Sequence, residues 1–148
     1  MKIPVDIRIR RERIGLDSKR KNEIEDSESY SLSGVLKKSK NGFRLEFNES
    51  LAEVFTTVDM YSDGTVSINR VGPINTHMVF SEERAYTCIC NTGFTPFQLN
   101  VRTSSLENGI TLDGGILDIR YSVEIHGNLA EKCRIVFSVS PDISIIRS

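Results

Sequence analysis

Hydrophobic and polar residues alternate with a period of two along almost the whole chain, which predicts short strands and no helix. Ile3, Val5, Ile7 and Ile9 face one way while Asp6, Arg8 and Arg10 face the other. Tyr30, Leu32, Gly34 and Leu36 continue a second strand, and Lys40-Asn41-Gly42 then turns the chain. Asn-Gly suits a tight hairpin because both residues tolerate positive φ. Phe43, Leu45 and Phe47 return as a third strand, and a fourth covers Glu53 to Met60. Asp63-Gly64 supplies the next hairpin, Val66, Ile68 and Arg70 the fifth strand, and Asn75 to Phe80 the sixth. Ala85 to Asn91 and Thr95 to Ser104 pair around Gly93. Leu117, Ile119, Tyr121, Val123 and Ile125 alternate with Asp118, Arg120, Ser122, Glu124 and His126, and Gly127-Asn128 turns into a last strand carrying Cys133, Ile135, Phe137 and Val139. The expectation is an all-β chain, an antiparallel up-and-down barrel of about 8–10 strands. Closure removes the exposed edges such a sheet would otherwise carry.

Two stretches depart from the alternation. Residues 11–29 are polar, first basic (Lys19, Arg20, Lys21) and then acidic (Glu23, Glu25, Asp26, Glu28), and form either an extended twisted hairpin or a mobile loop. The tail, Pro141 to Ser148, still carries Ile143, Ile145 and Ile146 and is expected to pack on the barrel. Neither a repeat of solenoid length nor a low-complexity segment is present.

Composition narrows the class. A length of 148 residues fits one domain, 1–148, with one core. An apolar share of 39% and a charged share of 26% exclude wholesale disorder. A net charge of -1 gives no global attraction to nucleic acid or to an anionic membrane, so either contact would need a local patch. The charged, alternating start is not a secretory signal, and no apolar run approaches the roughly 18 residues of a spanning helix. With an odd set of cysteines (Cys88, Cys90, Cys133) and no export signal, a reduced cytoplasmic protein is expected.

Several landmarks resemble a family of uncharacterised bacterial proteins typified by YwiB. They are Gly34, Phe43-Arg-Leu-Glu-Phe-Asn-Glu49, Thr57, Val66-Ser-Ile-Asn-Arg70-Val-Gly72, Met78-Val-Phe80, Thr92-Gly-Phe94, Leu99-Asn-Val-Arg-Thr103 and Gly115-Ile-Leu-Asp-Ile-Arg-Tyr121. The likeness covers about residues 30–140, and Thr95 departs from it where the family tends to carry glycine. The resemblance implies a calycin-like (lipocalin-like) barrel and no established activity. Calycins often hold small apolar molecules inside the barrel, an analogy at the level of fold alone.

Parity points to candidate site residues. Glu49 shares the face of Phe43, Leu45 and Phe47, and Arg70 shares that of Val66 and Ile68. In a meander, strands three and five run the same way, so Glu49 and Arg70 close their strands at one end. Thr57, His77 and Thr92 are expected at that rim as well. The candidate ligand-binding set is therefore Arg70, Glu49, Thr57, His77 and Thr92. Two readings stand: Arg70 anchors a ligand carboxylate or phosphate, or Glu49 and Arg70 pair to close the barrel end.

Other chemistry is thinner. Cys88-x-Cys90 lacks further ligands at metal-like spacing, and small core hydrophobes are the simpler reading. His77 and His126 have no nucleophile paired with them by motif, and no phosphate-binding loop is present. Neither enzymatic activity, metal nor cofactor is expected. The basic cluster Arg8, Arg10, Arg11, Arg13, Lys19, Arg20 and Lys21 has no aromatics for base stacking beside it, which argues against nucleic acid there. The expected function is non-enzymatic binding of a small apolar or anionic molecule in the barrel, without membrane contact. The alternative is a structural or interaction module, its barrel filled by Phe43, Phe47, Phe80, Phe97, Tyr121 and Phe137, meeting a protein or RNA partner through the basic 8–21 segment.

Overall fold

Ten antiparallel strands carry the alternation into three dimensions: β1 (Lys2–Ile14), β2 (Ile24–Ser39), β3 (Gly42–Glu49), β4 (Val54–Tyr61), β5 (Val66–Val71), β6 (Thr76–Phe80), β7 (Ala85–Cys90), β8 (Phe97–Asn108), β9 (Gly115–Ile125) and β10 (Asn128–Pro141). The computed structural model describes residues 2–15, 24–49, 53–90 and 97–142. The strands form one sheet in the order β6-β5-β4-β3-β2-β1-β10-β9-β8-β7. Apart from β6 and β7, each strand thus pairs with its neighbours in sequence, and β1 also pairs with β10, for example Ile7 with Val139 and Ile9 with Phe137. The sheet curls until β6 and β7 lie side by side. Among the described residues no ladder joins those two strands, so the barrel is nearly closed. The architecture is the up-and-down barrel expected from the alternation, and it agrees with the calycin-like barrel that the resemblance implies. No helix among the described residues is long and apolar enough to cross a membrane.

The interior is built from the predicted faces. Val5, Ile7 and Ile9 of β1 meet Leu36, Leu45, Val58, Met60, Val66 and Ile68 from β2–β5 and Leu117, Ile119, Ile135, Phe137 and Val139 from β9 and β10. Phe47 and Phe137 sit 6.4 Å apart, and the Phe80 and Tyr121 rings meet edge to face at 5.0 Å. Phe43 packs at the margin of this cluster. The side chain of Phe97 lies outside the described residues. Side chains from opposite walls thus meet in the barrel interior.

Where the chain turns, the details differ from the expectation by one residue. In the β2–β3 hairpin Ser39 pairs with Gly42, so Lys40 and Asn41 make the turn and Gly42 opens β3. Gly42 is required there because it adopts φ +148°, and a Cβ would lie 1.9 Å from the Met60 carbonyl oxygen. In the β9–β10 hairpin Ile125 pairs with Asn128, which puts the turn at His126-Gly127. Both turn residues have positive φ, 52° and 79°, the backbone twist that a tight hairpin selects.

The polar 11–29 stretch starts and ends as a hairpin. Arg11 pairs with Glu28, Glu12 with Ser27 and Arg13 with Asp26, so β1 and β2 extend well beyond the predicted strands. Alternating cations on one arm and acids on the other make that extension favourable. Lys19, Arg20 and Lys21 lie outside the described residues, as do residues 143–148 of the tail. At the start of the tail the Asp142 amide donates to the Pro4 carbonyl at 2.9 Å.

This topology defines two ends. Odd-numbered strands finish at an upper end, where even-numbered strands begin. Residues Arg11, Glu49, Arg70 and Thr76 lie toward it; Lys2, the Lys40-Asn41 turn and Tyr61 lie at the lower end.

Candidate functional site

At the upper end one carboxylate is addressed from four other strands. Glu49 ends β3, and its Oε2 accepts from Arg70 Nη2 at 2.8 Å, from Arg70 Nε at 3.2 Å and from Thr56 Oγ1 at 3.2 Å. Its Oε1 accepts from the Tyr30 hydroxyl at 2.7 Å, and Arg11 Nη2 stands 3.6 Å away. Arg11 (β1), Tyr30 (β2), Glu49 (β3), Thr56 (β4) and Arg70 (β5) therefore meet at one point. Alternation explains the convergence. Each residue continues the inward parity of its own strand, and the strands are hydrogen-bonded neighbours.

The cluster is partly wet and rich in cations. The Glu49 side chain is 10% exposed, while those of Arg11 and Arg70 are 32% and 31% exposed. Burial pushes the Glu49 carboxyl up, but hydrogen bonds from Tyr30 and Arg70 and the charges of Arg70 and Arg11 outweigh it, holding the carboxyl below its ordinary value. Tyr30 is pushed up to about 12, first by burial and then by its bond to Glu49, so it remains a donor. Two guanidinium groups share one carboxylate and keep N–H donors that Glu49 does not take up. Arg11 Nε is buried without a hydrogen-bond partner. A carboxylate or phosphate arriving at this end would meet charge-assisted donors already held in place.

The structure brings Glu49 and Arg70 together and corrects two of the other candidates. Thr57 lies on the outer side of β4; its neighbour Thr56, 1% exposed, carries the inward hydroxyl. Val54, Val58 and Met60 share the parity of Thr56, so this was available in the sequence. His77 is exposed on the outer side of β6, hydrogen-bonded through Nδ1 to Asn69 Oδ1, and is no part of the cluster. Thr92 lies outside the described residues. Tyr30 and Arg11 were missed as site residues. Arg11 was grouped with the basic arm although it continues the parity of Ile3 to Ile9.

The remaining candidates have partners elsewhere. Arg10, Arg11 and Arg13 stand 4.0, 3.6 and 3.9 Å from Glu12, Glu49 and Glu131, so the described part of the basic arm is largely balanced. On the outer face, Arg134 holds Asp118 through two bonds of 3.0 and 2.7 Å and reaches Glu12 at 3.3 Å. Arg134 and Asp118 border an open depression of about 740 Å³ that also includes Arg8, Arg10 and Val136 and lies outside the barrel. Cys88 and Cys90 are buried. Burial, then neighbouring Cys90, pushes the Cys88 thiol up to about 11. Burial and Glu131 do the same for Cys133, also to about 11. Among the described residues no group of three or more His, Cys, Asp or Glu could hold a metal ion.

Comparison with known proteins gives the fold a lineage. A family model described as a domain of unknown function, DUF1934, matches residues 14–136. The crystal structure of the ywiB protein from Bacillus subtilis superposes with a TM-score of 0.79 at 15% identity, covering 95% of this chain and 92% of that one. At that identity the likeness is one of fold. No curated protein matches the sequence.

Proposed function

We propose, from the premise that the chain belongs to the DUF1934 family, that it is a non-enzymatic binding barrel that takes a small anion at its upper end. The observation that carries this reading is the surplus of cationic donors around Glu49. Arg11 and Arg70 share a single carboxylate, and Arg11 Nε is buried with no partner. A buried donor left without an acceptor costs free energy, about 1–3 kcal/mol, that an anionic oxygen recovers. The packed interior favours a ligand whose charged group sits at the mouth, with any apolar part lying toward Phe47 and Tyr30 near the top of the core. Arg70 and Arg11 orient the anion, Tyr30 donates to it or to Glu49, and Thr56 keeps Glu49 in place.

The test is a thermal-shift panel of small carboxylates and phosphate esters on the wild type and on Arg11→Met and Arg70→Met. The reading expects stabilisation of the wild type by at least one class of anion, and its loss in both variants. If every anion leaves the wild-type transition unmoved, the cluster is a closing pair and the barrel has no anion site at this end.

A further inference from the structure

On the β1–β3 side of the lower end several cations stand together, separate from the Glu49 cluster. Lys2 of β1 is directly opposite Lys37 of β2, and Lys37 is directly opposite Arg44 of β3. Like charges facing each other across strands destabilise a sheet. Two carboxylates offset part of this row: Glu46 takes Lys37 at 2.8 Å, and Asp59 takes Arg44 at 2.6 Å. Among the described residues no ion pair is formed by Lys2, Lys38 or Lys40. Asp63 in the β4–β5 turn is engaged by the Thr65 amide at 2.9 Å, and Asp142 lies at the same end, its amide on the Pro4 carbonyl. Lys2, Lys37, Lys38, Lys40 and Arg44 thus gather on the β1–β3 side of this end, while Glu82, Glu83 and Asp113 lie in its other turns.

An aromatic ring lies within this patch. Tyr61 is 40% exposed, and its cross-strand partner is Gly42, which has no side chain to cover it. Lys37, Lys38, Lys40, Asn41, Arg44 and Tyr61 border an open depression of about 410 Å³. The Ser62 amide donates to the Asn41 carbonyl at 2.7 Å, so the two turns that present these groups are fixed to each other.

We propose that this end binds single-stranded nucleic acid: Lys2, Lys38 and Lys40 take backbone phosphates while Tyr61 stacks on a base. Cations beside an exposed ring are the two elements that single-strand recognition combines, and no specific base edge has to be read. An acidic protein surface would use the cations and leave the ring idle, which is why nucleic acid is the better match. The aromatic partner missing beside the 8–21 segment is present here, on a different face.

The experiment is fluorescence anisotropy with a labelled oligothymidylate and a labelled oligouridylate of about 12 nucleotides, between about 50 and 200 mM salt. Binding is expected in the range of roughly 10⁻⁴–10⁻⁶ M, with a slope of log K against log salt of about -2 for three phosphates. Lys38→Glu with Lys40→Glu should weaken binding at least tenfold and flatten the slope by about 1.4. Tyr61→Ser should weaken it roughly tenfold while Tyr61→Phe restores it. Circular dichroism checks that each variant keeps the sheet, and Arg8→Glu on the outer face serves as a charge control with unchanged binding. Absence of binding at the lowest salt overturns the proposal. Tyr61→Ser binding as well as wild type also overturns it, because the patch would then be a plain anion surface suited to an acidic protein.

Discussion

Replacing Glu49 with Gln keeps the shape of the side chain and removes its charge, so it isolates what the carboxylate does. In the wild type it accepts from Tyr30 at 2.7 Å, Thr56 at 3.2 Å and Arg70 at 2.8 and 3.2 Å, with Arg11 at 3.6 Å. A hydrogen bond to a charged group contributes about 1.5–3 kcal/mol, and removing one partner of a fully buried pair costs about 3–5 kcal/mol. Arg11 and Arg70 are about a third exposed, so water recovers part of that loss. The expected cost of Glu49→Gln is therefore about 2–4 kcal/mol, a fall in the thermal midpoint of roughly 4–16 °C. Denaturant unfolding at pH 7 measures it. As a contrast, Arg44→Met removes the exposed pair with Asp59 and should cost under about 1 kcal/mol. The pH dependence supplies a second reading of the same carboxylate. Its folded value is lowered, so its contribution is present above the ordinary carboxyl range and is lost as pH falls toward the folded value. Wild-type stability should decline between about pH 5 and 3, and Glu49→Gln should decline less steeply. Asp118, lowered mainly by its bond from Arg134, keeps part of the slope in both proteins. A cost below about 0.5 kcal/mol, or superimposable acid limbs, would refute the idea that Glu49 organises this end.

Three further outcomes follow from the packing and the thiols. Gly34→Ala should destabilise by about 1–3 kcal/mol in denaturant unfolding, because a Cβ would lie 2.5 Å from the Glu46 carbonyl and 2.6 Å from Ile7 Cδ1. Phe137→Ala should cost about 3–5 kcal/mol, since the ring is 1% exposed and its loss leaves Phe47 facing a cavity; calorimetry reads it. With thiols raised to about 11 by burial, Cys88 and Cys133 should react slowly with a disulfide reagent at pH 8 in the native state. Both should react fully once the chain is unfolded, and fast native labelling of Cys88 would contradict the buried packing.

Strand number, antiparallel order and interior face were all readable from alternation, because a barrel wall of this kind buries one side of every strand. The same parity placed Glu49 and Arg70 on one face at one end. Thr57 entered as a landmark of the resemblance near the start of β4, whereas the parity of Val58 and Met60 selects Thr56. His77 failed for a similar reason: Phe80 is the buried member of β6, so a residue three positions earlier faces outward. The sequence left residues 11–29 as either an extended hairpin or a loop, because Arg11 to Ile14 holds its place partly through pairing with β10, a segment far along the chain. Arg11 therefore reads in the sequence as part of the basic cluster and not of the rim. Bulges between Thr103 and Ser105 and between Leu129 and Glu131 depend on how neighbouring strands coil, and no single residue announces them.

The central claim, that the arginine-rich upper end takes a small anion, is tested most directly by native mass spectrometry of the protein purified from the cells that make it. The denatured mass of the same sample is the reference. The account predicts an extra, releasable mass of roughly a few hundred daltons on the wild type, absent from Arg11→Met/Arg70→Met. Identical native and denatured masses for the wild type, or an adduct that the double variant retains in full, would contradict it.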